Sequence, residues 1–157
     1  MKSRTFIIAA AIGLLAVPLA YAARVHFKRP APSFTDQGLT LKTCLSLAGL
    51  GNQDVTITID ASGFATSTCT NRGGNVAPGQ NKVPVSPTAQ VTVPSTEIKN
   101  GNLSVCLATV APPTPSATEA GCPNNNWSTS LNDVEFTSAT ITIEQGGTIV
   151  LQKTFTL

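Results

Sequence analysis

Between Leu39 and the carboxyl end, runs of apolar side chains at every second position recur along the chain, and that period points to β-structure. Leu39, Leu41, Leu45 and Leu47 share one phase. Val55, Ile57 and Ile59 share another, followed by Leu103, Val105 and Leu107, then Ile141 and Ile143, then Ile149 and Leu151. Alternate residues of a strand lie on one face, so each set predicts a strand with a core face, its Thr, Ser, Gln and Lys neighbours facing water. No apolar stripe of helical period competes. Aromatic residues are only 5% of the chain, so Val, Ile and Leu must fill the interior. The expected fold class is all-β: a single immunoglobulin-like antiparallel β-sandwich.

Two turns set the expected register. Asn100-Gly101 separates Val91–Ile98 from Leu103–Val110, and Asn-Gly favours a two-residue hairpin turn because both positions need positive φ. Ile98 should then lie opposite Leu103. At Gln145-Gly146-Gly147, a two-residue loop would send Ile149 and Leu151 to the face opposite Ile143. A three-residue loop keeps Ile141, Ile143, Ile149 and Leu151 together, and is the expected form, with Gly147 left-handed. Two stretches do not alternate: Asn71 to Thr88, and Ala111 to Asn126. Irregular segments this long are uncommon in a compact domain and often bind or cover something.

The amino end carries the parts of a secretory signal. Lys2 and Arg4 precede the apolar run Phe6 to Val17, Pro18 breaks it, and Ala20-Tyr21-Ala22 offers small residues for cleavage. The rival is an uncleaved anchor over Phe6 to Ala23, barely long enough to span; Pro18 and the Ala-x-Ala site favour cleavage. The expected organisation is a signal peptide at 1–22, an extended amino-terminal segment at 23–37 and the β-sandwich at 38–157. The expected location is secreted or extracellular, with no membrane insertion after cleavage. Lys2 and Arg4 supply the whole formal charge of +2. The mature chain is therefore neutral, with no field to attract nucleic acid. Arg24, Lys28 and Arg29 beside His26 read as a solvated terminus.

The chain has four cysteines, and an even number in an exported chain points to two disulfides. Without a Cys-x-x-Cys, and with the one histidine far away, a zinc site is not expected. Of three possible pairings, strand phase selects one. Cys44 and Cys106 lie inside strands, out of phase with the Leu faces. Cys69 and Cys122 lie where regular structure meets the irregular segments. The expected bonds are Cys44–Cys106 and Cys69–Cys122. The second would tie both irregular segments to one pole, making 71–80 and 122–127 the expected binding surface.

The usual catalytic sets are hard to assemble. His26 is the one histidine and reads as an edge residue beside Phe27. Asp54 and Asp60 flank one strand about 20 Å apart. Asp133 and Glu135 are the best local acidic pair, read as solvated, since no calcium-loop spacing surrounds them. Arg72-Gly73-Gly74-Asn75 lacks the Lys and following helix of a phosphate loop. No enzyme, cofactor or metal is expected. The candidate binding residues are Asn75, Gln80, Asn124, Asn125, Asn126 and Trp127. An unknown extracellular protein or a glycan is the expected partner. Trp127 has two readings, a core residue packed on a disulfide or an exposed platform for a sugar, with the neighbouring amides as hydrogen-bonding groups.

Several local runs carry a resemblance. They are Gly49-Leu50-Gly51-Asn52 with Asp54 to Thr58, Cys69-Thr70-Asn71 through Gly73-Gly74-Asn75, and Ala77 to Asn81. Glu97 to Asn102, Gly121-Cys122-Pro123-Asn124 with Trp127, and Phe136 to Thr142 complete the set. Over nearly the whole mature domain the chain resembles a group of small, uncharacterised secreted bacterial proteins with no known activity. The resemblance implies an exported small domain, with Cys69 and Cys122 in the shared pattern and Cys44 and Cys106 less typical of it. It implies no particular activity.

Overall fold

The apolar phase beginning at Val55 continues unbroken to Cys69, and in the computed structural model this stretch is one 16-residue strand. The structure describes residues 24–157; the expected signal peptide, 1–22, lies outside the described residues. In chain order the strands are β1 (His26–Phe27), β2 (Ser33–Asp36), β3 (Leu41–Ala48), β4 (Val55–Thr70) and β5 (Val76–Pro78). They continue with β6 (Val83–Val85), β7 (Thr88–Val93), β8 (Leu103–Ala108), β9 (Ser128–Gln145) and β10 (Thr148–Thr156). A single turn of 3-10 helix, Ser95–Glu97, follows β7.

Every pairing between these strands is antiparallel. In the smaller sheet, β1 and β2 pair in succession with β3, and β8 pairs with β3 from Lys42↔Ala108 to Leu47↔Leu103. The amino-terminal segment thus contributes two strands to the sheet, with Val25 in the core. In the larger sheet, β4 pairs with β9 along its whole length and with β7, β6 and β5 in turn, while β10 pairs with β9.

The two sheets share two apolar clusters, the smaller formed by Leu41 of β3 with Ala61, Ala65, Val134, Phe136 and Ala139. In the larger, Leu45 and Leu47 of β3 and Leu103 of β8 cluster with Val55, Ile57 and Ile59 of β4 and with Ile141 and Ile143 of β9. The β4 and β9 members are fully buried, so each contributes about 1.5–3 kcal/mol through lost contact with water. Phe155 of β10 packs against Phe27 and Phe34, with ring centroids 5.8 and 5.3 Å away. These three rings join the larger sheet to β1 and β2.

The inward side chains of β4 shrink along the strand: Val55, Ile57, Ile59, Ala61, Gly63, Ala65, Ser67, Cys69. The small residues leave room for loop to cover the far end of the strand. Pro112, Pro115 and Ala120 of the segment after β8 are buried, and the Thr129 hydroxyl donates to the Pro115 carbonyl. Thr129 is the register partner of Cys69, so this covering loop reaches the Cys69 end of the β4–β9 ladder.

Three register expectations change. The Gly146-Gly147 loop has two residues, with Gln145 opposite Thr148 and both glycines at positive φ, 60° and 77°. A bulge between Ile149 and Leu151 then places Leu151 opposite Ile143. The bulge recovers the phase that a three-residue loop was expected to keep, but Ile149 lies opposite Glu144 and is 54% exposed. At Asn100-Gly101 the left-handed turn forms as expected, with φ of 50° and 71° and a bridge between Lys99 and Asn102. Its two arms nevertheless join different sheets: β7 ends at Val93 and pairs with β4, while β8 pairs with β3. The segment from Asn71 to Thr88 is also more regular than expected. It holds β5 and β6, whose Pro78 and Pro84 suit short edge strands that need not donate at every residue.

Candidate functional site

Both disulfides have the expected pairing, Cys44–Cys106 from strand phase and Cys69–Cys122 from position beside the irregular segments. Cys44 and Cys106 are register partners on adjacent strands, with Cα atoms 4.1 Å apart. Cys69, buried at the end of β4, is bonded to Cys122, with Cα atoms 5.7 Å apart. Neither bond crosses from one sheet to the other.

The second bond ties the segment after β8 to the end of β4, where the segment after β4 also makes hydrogen bonds. The Gly79 amide donates to the Ser67 carbonyl and the Asn81 amide to the Ala120 carbonyl. The Asn81 side-chain amide donates to the Glu119 carbonyl at 3.1 Å. A Cβ on Gly79 would lie 2.8 Å from the Ala120 carbonyl oxygen, so the close approach requires glycine there.

Cys122 is delivered by a single capped turn. The Ser116 amide and hydroxyl both donate to the Glu119 carboxylate, and the Glu119 amide donates back to the Ser116 hydroxyl. This is the reciprocal capping arrangement of a Ser-x-x-Glu sequence. The Ser116 hydroxyl bond, followed by the backbone bond, holds the Glu119 carboxyl below its ordinary pKa. The turn continues through the Ala120 amide to the Ser116 carbonyl and the Cys122 amide to the Ala117 carbonyl. Gly121 ends it at positive φ, 67°.

Past the last β4–β9 pair, Thr70↔Ser128, the two chains diverge into Asn71 and Trp127. Asn71 closes the β4–β5 hairpin, its side-chain oxygen accepting from the Asn75 amide at 2.9 Å. On the other side the Asn124 side-chain oxygen accepts from the Asn126 amide, and its carbonyl accepts from the Trp127 amide. Asn71, Arg72 and Gly73 face Asn124, Asn126 and Trp127 across an open groove of about 280 Å³. Trp127 is half-buried and belongs to neither core cluster, so the core reading of this residue does not hold.

The other expected site residues lie outside that groove. Asn75 is exposed, and its backbone is used in closing the hairpin. The Gln80 amide turns back to the Pro78 carbonyl, and Gln80 lines a separate shallow cleft with Lys82 and Glu119. Asn125 accepts from the Thr118 hydroxyl, bracing the loop from behind. Asn71 and Arg72, within the expected 71–80 surface but not among the six candidate residues, line the groove as well. Their signal was the expected Cys69–Cys122 bond, which already placed the segment after Cys69 beside Trp127.

His26, Glu135 and Asp54 each have a local partner. The His26 Nδ1 lies 2.9 Å from the Arg24 carbonyl oxygen, on the edge strand β1. Glu135 forms an ion pair with Lys82, and Asp54 accepts from the Ser95 amide at 2.8 Å. Among the described residues no group of three or more His, Cys, Asp or Glu is placed to hold a metal ion. No helix among them is long and apolar enough to cross a membrane.

In comparisons with known proteins, no family profile and no curated sequence matches this chain.

Proposed function

We propose that this protein is an exported, non-enzymatic binding domain whose working surface is the groove around Trp127. Export is supported by the signal-like leader and by two disulfides, which persist in oxidising compartments. Two facing antiparallel sheets also support an immunoglobulin-like reading, although both bonds differ from the cross-sheet disulfide of that fold.

The observation that carries the binding proposal is the joining of two distant segments around one indole. Asn71 to Gly73 and Asn124 to Trp127 come together at the Cys69–Cys122 bond and supply three amides, a guanidinium and an aromatic surface. An indole face with hydrogen-bonding groups at its rim suits a sugar ring, whose C–H faces stack while its hydroxyls bond to amides. The proposed ligand is therefore a short glycan. Arg72 favours one that carries a carboxylate or sulfate.

A glycan array probed with the wild-type domain and with Trp127→Ala tests this. Binding by the wild type that is lost in the variant is the expected result. Binding by neither would remove the glycan reading and leave an extracellular protein as the partner. That partner would be sought by pull-down with the wild-type domain and a variant lacking residues 73–80.

A further inference from the structure

The Cys44–Cys106 bond lies on the outer face of the smaller sheet, where the neighbouring side chains are short. Ser33, Cys44 and Cys106 are register partners in a row across β2, β3 and β8. Ser46 and Ser104, the next pair on the same face, hydrogen bond to each other at 2.7 Å. Pro30, Ala31, Leu45 and Val105 complete a groove of about 370 Å³ that runs directly over the bond. Cys106 is exposed and Cys44 half-buried, whereas in the other disulfide Cys69 is fully buried. Lys42 lies two residues before Cys44 and so on the same face, opposite Ala108.

We propose that Cys44–Cys106 is a thiol–disulfide exchange site, entered through this groove by an external protein dithiol that attacks the Cys106 sulfur. Exchange requires an accessible sulfur and a leaving thiolate that its surroundings stabilise. Cys106 supplies the first, and the positive charge of Lys42, two residues from Cys44 on the same face, favours the second. The incoming thiolate bonds to the Cys106 Sγ as the Cys44–Cys106 bond breaks, and the electron pair leaves on the Cys44 Sγ, which takes a proton from water. The second thiolate of the dithiol then attacks its own bound sulfur and frees the Cys106 thiolate. In sum, the Cys44–Cys106 bond gains two electrons and the dithiol is oxidised to a disulfide.

The test uses a cysteine-containing tripeptide thiol, glutathione, on the folded oxidised protein, with early quenching by N-ethylmaleimide and peptide mapping. The glutathione adduct is expected on Cys106, with maleimide on Cys44, at a rate about tenfold or more above any labelling of Cys69 or Cys122. Lys42→Gln should slow the exchange about threefold at low salt, with the difference fading at 1 M salt as the charge is screened. An adduct on Cys44, or equal labelling of both disulfides, would overturn the proposal. A Lys42→Gln rate equal to wild type at low salt would overturn the leaving-group assignment.

Discussion

Replacing Cys69 and Cys122 together by alanine removes the covalent link on which the candidate site depends. The bond spans 53 residues of sequence, for which chain entropy gives about 4 kcal/mol of stabilisation at 25 °C. Cys69 is fully buried, so shortening it adds a packing loss of about 1 kcal/mol. With a urea m-value of about 2 kcal/mol/M, the unfolding midpoint should fall by about 2.5 M. Trp127 is the one tryptophan in the chain, so its emission reports on the site itself. In the double variant that emission should shift to the red before the global transition, as the two segments flanking the indole separate. Alanine at Cys44 and Cys106 is the control: that bond spans 62 residues and has a similar entropy term, yet it lies on the other sheet. It should lower the midpoint comparably and leave the native emission unchanged. An unchanged midpoint in the first variant, or equal emission shifts in both, would refute the reasoning.

Other substitutions test separate parts of the fold. Gly63→Ala would place a Cβ 2.5 Å from the Glu135 carbonyl oxygen, at a β4–β9 register shift, and should cost about 2 kcal/mol in urea unfolding. Thr43→Val should instead raise stability by about 1 kcal/mol, because the Thr43 hydroxyl is buried without a hydrogen-bond partner. Glu119 has its carboxyl pKa lowered by Ser116, so its support for the capped turn is complete above the unfolded value, 4.5, and is lost as pH falls through the folded value. The protection of the Cys122 amide, its exchange rate relative to the intrinsic rate at each pH, should therefore fall in that acid range in the wild type, and Glu119→Gln should abolish that change.

Much of the core was legible because one phase holds within each of β3 and β4. Leu41, Leu45 and Leu47 are buried as expected, as are Val55, Ile57 and Ile59. The out-of-phase placement of Cys44 and Cys106 similarly identified their bond. What escaped was every place where the phase is broken and restored. In β9 the buried residues shift from Val134 and Phe136 to Ala139, Ile141 and Ile143, because Thr137 has no partner on β4. Asn132 is a second such extra residue, its side chain bonded to Thr68. A period-two reading splits such a strand into pieces, and the bulges that join them carry no composition signal of their own. The same limit explains the wrong choice of loop at Gly146-Gly147.

The candidate site was legible as a region rather than as a residue set. Cysteine pairing gave the pole, and hence Asn124, Asn126 and Trp127. Asn75, Gln80 and Asn125 were grouped with them by residue type, but none of the three lines the groove, and the Gln80 and Asn125 side chains bond within their own loops. The Ser116–Glu119 cap was readable as a Ser-x-x-Glu spacing within a segment taken to be irregular throughout.

NMR spectra of the oxidised domain, titrated with a mixture of neutral and acidic oligosaccharides, would probe the Trp127 groove most directly. The indole N–H of Trp127, the side-chain amides of Asn71, Asn124 and Asn126 and the Arg72 guanidinium should move together, while Asn75 and Gln80 stay in place. Shifts confined to another face, with the indole signal stationary, would contradict a binding surface at this pole.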